Sequence, residues 1–390
     1  MKKNLNRMIL GLVGNVLDHA LNLVLSRLFY MKEINKIMKM LSISNKKVKE
    51  EDLWYAKWKR IGVYVNRKYY RVFSKFLDPM QHDLTNICPD DICHNYIEPL
   101  LNPIRYRSYY SDKNEFDKII GGGNFPQTVL RNQNGCLMNA DYEALDRHSI
   151  DISQLTRSND LVVKPSIDSA SGNGVRFFHR SEEDGLFHDV ESDEIMNVDM
   201  LDVAYPNNNY IVQERARQSE FMSKFCPTSI NTLRIQVYRS LSDNKTYVIN
   251  MILRIGRNGS LVDNAHAGGA FIGIESGGKF MKHLLDQYGR KYTIFNGIDF
   301  SKENFFLPNF EEIVSFAKSI GGKIHHARLI ALDVMLDEHN QPKLIEYNID
   351  SFGLWLFQFT TGTAFGQWTD EIIEYVRRNM NRATKLYFGV

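Results

Sequence analysis

Apolar residues recur at positions 9, 10, 13, 17, 21, 24, 25 and 28. This helical spacing leaves a polar face carrying Asn15, Asp18, His19, Asn22 and Arg27, and it predicts an amphipathic helix over 8–30. A membrane-spanning helix needs ~20 mostly apolar residues, and the polar interruptions exclude one. No small-residue cleavage pattern follows, so the segment does not read as a signal peptide. Two uses of the apolar face stay open. It packs on this protein or a partner, or it lies in a membrane surface, with Lys2, Lys3, Arg7 and the basic-aromatic run "WYAKWKRIGVYVNRKYYRVFSKF" supplying cations.

The pattern stays helical to about residue 110, with "SNKKVKEED" as a polar hinge. From 111 to 160 it becomes short α/β, with turns at "GGGNFP" and "NQNG". From 161 strands dominate, with helices near 309–320 and 367–380. "NFEEIVSFAKSIGG" predicts a helix capped by Asn309, with glutamates in its first turn and glycines ending it. The expected class is α+β, with a mainly helical region over 1–110.

Composition narrows the function. At 390 residues, 43% hydrophobic, 24% charged and a net charge of +2, the chain is globular and argues against a nucleic-acid partner. Its length predicts more than one structural unit. Four cysteines, Cys88, Cys93, Cys136 and Cys226, form no disulfide framework and suit a reducing, cytoplasmic location. Cys88, Cys93 and His94 have no second ligand pair at zinc-finger spacing, so ordinary thiols are expected. His325 and His326 read as capping or surface residues.

Two constellations carry chemistry. In "LVVKPSIDSASGNGVRFF" an apolar run ends on Lys164, and a loop of small residues follows before a second strand-like run. Such a hairpin offers backbone N–H groups to phosphate oxygens with a cation at its base. The second is "LDVMLDEHNQPKLIEYNID", two strand-like runs about a turn. Glu346 and Asn348, two apart on one strand, face the same way, and an antiparallel partner brings Asp333 opposite them. Two carboxylates and an amide oxygen suit Mg²⁺ on nucleotide phosphates.

On these residues the chain resembles the ATP-grasp superfamily over roughly 110–358. Its motif order is that of D-alanine–D-alanine ligase, and it also resembles the sugar-transfer-associated members found with polysaccharide biosynthesis. "SDKNEFDKIIGGGNFPQT" resembles the first lysine block, which implies Lys113 on the α-phosphate side of ATP. "VVKPSIDSASGNGV" resembles the second lysine and phosphate loop, implying Lys164, Ser169, Ser171 and Gly172. "YIVQERARQSEF" resembles the adenine hinge, implying Gln213, Glu214 and Ala216 at the base and Glu220 at the ribose. Asp333, Glu346 and Asn348 correspond to the Mg²⁺ ligands. The resemblance implies an ATP-grasp domain over 111–390, with 161–215 as its lid.

Two departures stand out. Gln213 replaces a common glutamate, and Ala331 stands where an arginine commonly precedes the metal aspartate by two residues. Arg328, Arg254 or Arg234 is expected to supply that cation. "SINTLRIQVYR" places Asn231 and Arg234 beside a strand, with Arg234 expected to hold a phosphate or carboxylate. "VDNAHAGGAFIGI" carries Asp263, Asn264 and His266, and His266 either binds substrate, helps deprotonate an amine or is structural.

The implied activity is ATP-dependent joining of a small-molecule or glycan carboxylate to an amine through an acyl phosphate, in cell-surface polysaccharide (capsule) biosynthesis. ATP and Mg²⁺ are the implied cofactors. Lys164, Arg234 and His266 are the expected catalytic residues. A kinase phosphorylating an alcohol and a non-catalytic nucleotide-binding scaffold at the membrane are the alternatives. The expected location is the cytoplasm, with peripheral contact at the inner face of the membrane through the first helix as an open option.

Overall fold

The computed structural model describes residues 2–167, 172–263 and 268–387, with side chains described between 20 and 381. Helix α1 (Lys2–Met40) is longer than the hydrophobic spacing predicts. It is followed by α2 (Glu51–Lys59), α3 (Lys68–Phe73) and short helical turns up to residue 111.

The smaller sheet contains β1 (Thr128–Gln133), β2 (Cys136–Met138), β3 (Asp160–Pro165), β4 (Arg176–Arg180), β5 (Phe187–Asp189) and β6 (Asn209–Glu214), in the order β2-β1-β6-β3-β4-β5. The sheet is therefore larger than the 161–215 span. β1 pairs along β6, with Arg131 opposite Ile211, and carries the 128–138 hairpin into the same layer. The β3–β4 pair is antiparallel, Val163 opposite Arg176, so the loop after Lys164 closes a hairpin as expected.

The larger sheet holds β7 (Thr232–Arg239), β8 (Thr246–Ile255), β9 (Ala270–Gly273), β10 (Leu284–Leu285) and β11 (Lys291–Tyr292). A ribbon of β12 (Ile294–Phe295) and β13 (Ile298–Asp299) separates these in sequence from β14 (Leu329–Leu336) and β15 (Pro342–Asn348). The strand order is β11-β10-β9-β8-β7-β14-β15.

Alternation along β7 explains how this sheet is covered. Leu233, Ile235 and Val237 point to one face. There they join Ile313, Ala317 and Ile320 of the Phe310–Lys323 helix in one buried cluster. Arg234, Gln236 and Tyr238 point to the other. Tyr238, Ile252, Phe271 and Ala331 on that face share a core with Trp54, Trp58 and Phe73 of the helical region. The N-terminal helices thus pack on part of one sheet face and leave the rest of it for a cleft.

Two polar clips fix this docking. The Asn102 amide donates to the Leu329 and Ile349 carbonyls at 2.5 and 2.6 Å, and its oxygen accepts from the Arg328 and Leu329 N–H groups. Gln358 exchanges hydrogen bonds with the backbone of Cys88 in both directions.

Two local expectations change. Asn309 starts the Phe310–Lys323 helix, but at φ 53° its side chain caps nothing and donates to the Asn340 carbonyl instead. The glycines do not end that helix. Gly321 lies within it because a Cβ there would meet Val237 at 2.5 Å, so the helix approaches the sheet too closely for a side chain. His325 and His326 are exposed, as the surface reading expects, and His326 stacks on Tyr106 at 3.8 Å. Cys88 and Cys93 are buried free thiols, and no metal-binding group of three or more His, Cys, Asp or Glu occurs among the described residues.

Candidate active site

A cavity of about 450 Å³ opens between the two sheets. Its small-sheet side is lined by Lys164, Gly172 and Phe177, and its hinge by Gln213, Glu214 and Ala216. The large-sheet side contributes Arg234, Arg254, Asp333, Glu346 and Asn348.

Lys113 reaches the cavity from a turn, Lys113–Glu115, capped by Asp112. Its N–H donates to the Ser166 carbonyl at 2.9 Å, which ties it to the end of the strand carrying Lys164. Its Nζ lies 3.9 Å from Glu346 Oε2. Burial lowers the Lys164 pKa to about 8, and the Lys113 charge adds to the effect while Glu346 opposes it. Two cations held close together, one with a depressed pKa, make a site that gains from an anion.

The metal block follows from strand register. Asp333 stands opposite Glu346 on one side and opposite Arg234 on the other. Residues directly opposite share a face, so the three form one transverse row. The Arg234 guanidinium donates to both Asp333 oxygens, at 2.8 and 2.7 Å. Arg254 donates to Asp333 Oδ2 at 3.1 Å and pairs with Asp263. Burial pushes the Asp333 carboxyl up, but the two guanidiniums outweigh it and hold the pKa at about 2. Burial likewise depresses Arg254, and Asp263 and Asp333 reverse this to leave it raised.

These residues fit a hard cation. A carboxylate has about four lone-pair sites. Arg234 and Arg254 occupy three of those on Asp333, which leaves one. Glu346 is half-buried, and the Asn348 Nδ2 is buried without a partner, as an amide used through its oxygen would leave it.

Of the three arginines proposed to replace the one missing at Ala331, Arg254 and Arg234 reach Asp333. Arg328 instead donates to the Arg239 and Ser240 carbonyls, away from the cavity. The hinge side chains have protein partners. Gln213 donates to the Pro126 carbonyl at 3.2 Å, and Glu214 accepts from the Thr156 hydroxyl at 2.6 Å. Glu220 is exposed at the start of a short helix and is not among the cavity-lining residues. Asn231 is buried and directs its amide to the Met222 and Cys226 carbonyls, a structural role. Ser169, Ser171, Asn264 and His266 lie outside the described residues.

Sequence reasoning gave no role to the aromatic end of the cavity. Phe271 and Trp355 line it beside Arg254, with ring centroids 5.8 Å apart. Trp355 stands seven residues beyond Asn348, so proximity to the metal strand was the available signal.

With this geometry established, comparison with known proteins identifies the class. The family model for sugar-transfer-associated ATP-grasp matches residues 92–372, well over half of the chain. The chain belongs to that family. It has the ATP-grasp fold, and ATP with Mg²⁺ are its cofactors. Among solved structures it is similar to biotin carboxylase from Campylobacter jejuni, with 11% identity, 71% of this chain and 48% of that one covered, and a TM-score of 0.39. It is also similar to the D-cycloserine synthetase DcsG (10%, 72% and 73%, TM-score 0.38). A third is D-alanine–D-alanine ligase from Bacillus anthracis (12%, 71% and 69%, TM-score 0.34). The chain spans 40%, 48% and 50% of the first three structures matched. No curated protein matches its sequence.

Proposed function

We propose that this chain is an ADP-forming carboxylate–amine ligase. In this reading it activates a carboxylate as an acyl phosphate and transfers the acyl group to an amine during assembly of a cell-surface polysaccharide. The observation that carries the reading is the single cavity in which two lysines, the Asp333–Glu346–Asn348 oxygens and the Arg234–Arg254 pair converge.

MgATP, when bound, supplies the γ-phosphoryl group and neutralises charge on its oxygens. Glu346, Asn348 and the remaining Asp333 lone pair would hold the metal. Lys113 and Lys164 would offset phosphate charge, as phosphoryl transfer requires. A substrate carboxylate oxygen takes up the phosphoryl group, and ADP leaves. The amine then attacks the acyl carbon, the C–O bond to phosphate breaks, and the amine proton passes to solvent or a nearby base. Arg234 and Arg254 present planar donors suited to a carboxylate or acyl phosphate. Asp263 and Asp333 hold both guanidiniums in place before substrate arrives, which lowers the cost of ordering them. The family's sugar-transfer association and the Phe271–Trp355 wall support a sugar-linked substrate.

The test is nucleotide product analysis with MgATP, pooled amino acids, uronic acids and nucleotide sugars, and hydroxylamine as an acyl-phosphate trap. Substrate-dependent ADP with a hydroxamate is expected. ADP with a phosphorylated alcohol and no hydroxamate would replace the ligase by a kinase.

A further inference from the structure

Among the described residues, helix α1 has two faces over Leu21–Met38: one is buried in the fold, and the other is exposed along its apolar stretch. Ile34, Ile37 and Met38 are buried, and Arg27 donates to the Tyr96 hydroxyl at 3.1 Å. At 100° per residue these side chains share one side of the helix. Leu21, Val24, Leu25, Leu28 and Phe29 occupy the opposite side and are 54–58% exposed. Large apolar side chains exposed singly are ordinary, but five on one stripe mark an interaction surface. The sequence continues the same spacing back through Leu17, Val13 and Leu10.

The charge of the helix identifies what the stripe meets. Residues 2–40 contain seven basic and two acidic side chains, a net charge of +5. Lys32 and Lys39 are exposed and follow the apolar stripe on the same outward side, one to three turns further along. Lys36, also on that side, is held by the Tyr288 hydroxyl at 2.8 Å. A second copy would set like charges against each other, whereas an anionic surface complements them. No helix among the described residues is long and apolar enough to cross a membrane.

We infer that the outward stripe of α1 docks the protein on an anionic lipid surface, with Leu21, Val24, Leu25, Leu28 and Phe29 inserted at the interface and Lys32 and Lys39 against headgroups. A helix with an apolar face and flanking lysines lies in the plane of such a surface, and its binding depends on both terms. The cleft between the sheets would then work beside the membrane. The inference does not depend on the ligase reading, since it uses no residue of the cavity.

The experiment is co-sedimentation of the full chain with vesicles of 3:1 phosphatidylcholine:phosphatidylglycerol or of phosphatidylcholine alone. The inference requires binding to the anionic vesicles that falls at least tenfold on neutral ones, and falls as strongly in Leu25→Glu/Leu28→Glu. Both substitutions lie on the exposed side, so an unchanged circular dichroism spectrum and melting temperature are expected. K32E/K39E should weaken binding and its salt dependence. Three outcomes overturn the inference: no binding to anionic vesicles, a double-glutamate variant that binds like the parent, or a dimer in solution that Leu25→Glu/Leu28→Glu dissociates.

Discussion

If the cavity binds nucleotide as proposed, Lys164 should make that binding pH-sensitive. Burial, aided by the Lys113 charge, lowers its pKa to about 8 in the free protein. An anionic phosphate binds the charged form and pulls the pKa back up, so above pH 8 formation of the complex is coupled to uptake of a proton. With the lysine held charged in the complex, nucleotide affinity should fall roughly tenfold between pH 7.5 and 9. The nucleotide's own phosphates are already ionised across that range. Lys164→Met removes the titrating group. It should cost about 1.5–3 kcal/mol of binding at pH 7.5, the loss of a charged hydrogen bond, and it should flatten the pH dependence. Titration calorimetry with MgADP in buffers of different ionisation enthalpy measures both affinity and proton uptake. The folding linkage has a definite sign. The folded pKa lies below the unfolded value, so the unfolded chain binds more protons between pH 8 and about 10.5, and stability rises with pH there. The shift corresponds to at most about 3.5 kcal/mol, less once solvent screening of this half-buried group is counted. A wild-type affinity that is flat from pH 7.5 to 9, or a Lys164→Met variant that keeps the slope, would refute the reasoning.

Other variants test the remaining parts. Glu346→Gln should abolish MgATP turnover and leave the melting temperature within a few degrees, because glutamine keeps the size of this half-buried side chain; unchanged turnover would count against its place in the proposed metal site. Arg254→Lys cannot bridge Asp263 and Asp333 together, and breaking a buried ion pair costs about 3–5 kcal/mol. Its stability loss should shrink when Asp263→Asn is added, a coupling that thermal melts of the double-mutant cycle would read. Asn102→Ala leaves two carbonyls and two N–H groups without their side-chain partner, and each buried unsatisfied group costs about 1–3 kcal/mol. The variant should therefore melt well below the parent, and an unchanged melt would show that water replaces the amide.

How much of this was legible in the sequence depends on distance along the chain. The Glu346–Asn348 pair was readable because a strand's period of two fixes it locally, and Asp333 followed once the turn between the runs was recognised. Lys164 announced itself by ending an apolar run before a small-residue loop. Arg254 was one of three arginines expected to supply the missing cation, but its selection over Arg328 depends on the register of β8 against β7 and of β7 against β14, and no local pattern encodes that. The same holds for Asn102, whose four partners lie more than 220 residues away. Gly321 was misread as a stop because the sequence does not show how closely its helix approaches Val237. Glu220 kept its spacing from the hinge, yet its side chain faces solvent. The first helix was recognised as amphipathic, but periodicity alone cannot tell a face that meets protein from one that meets water or lipid. The structure separates them, placing Ile34 and Ile37 inside and Leu21, Leu25 and Leu28 outside.

The central claim is that the cavity between the sheets transfers a phosphoryl group to a carboxylate. Its most direct test uses the acid found in the product screen, labelled with ¹⁸O in its carboxylate. In an acyl-phosphate mechanism one carboxylate oxygen leaves with phosphorus, so ³¹P NMR should show one ¹⁸O in each inorganic phosphate released with the amide. Inorganic phosphate without the label, or label retained wholly in the organic product, would contradict the account.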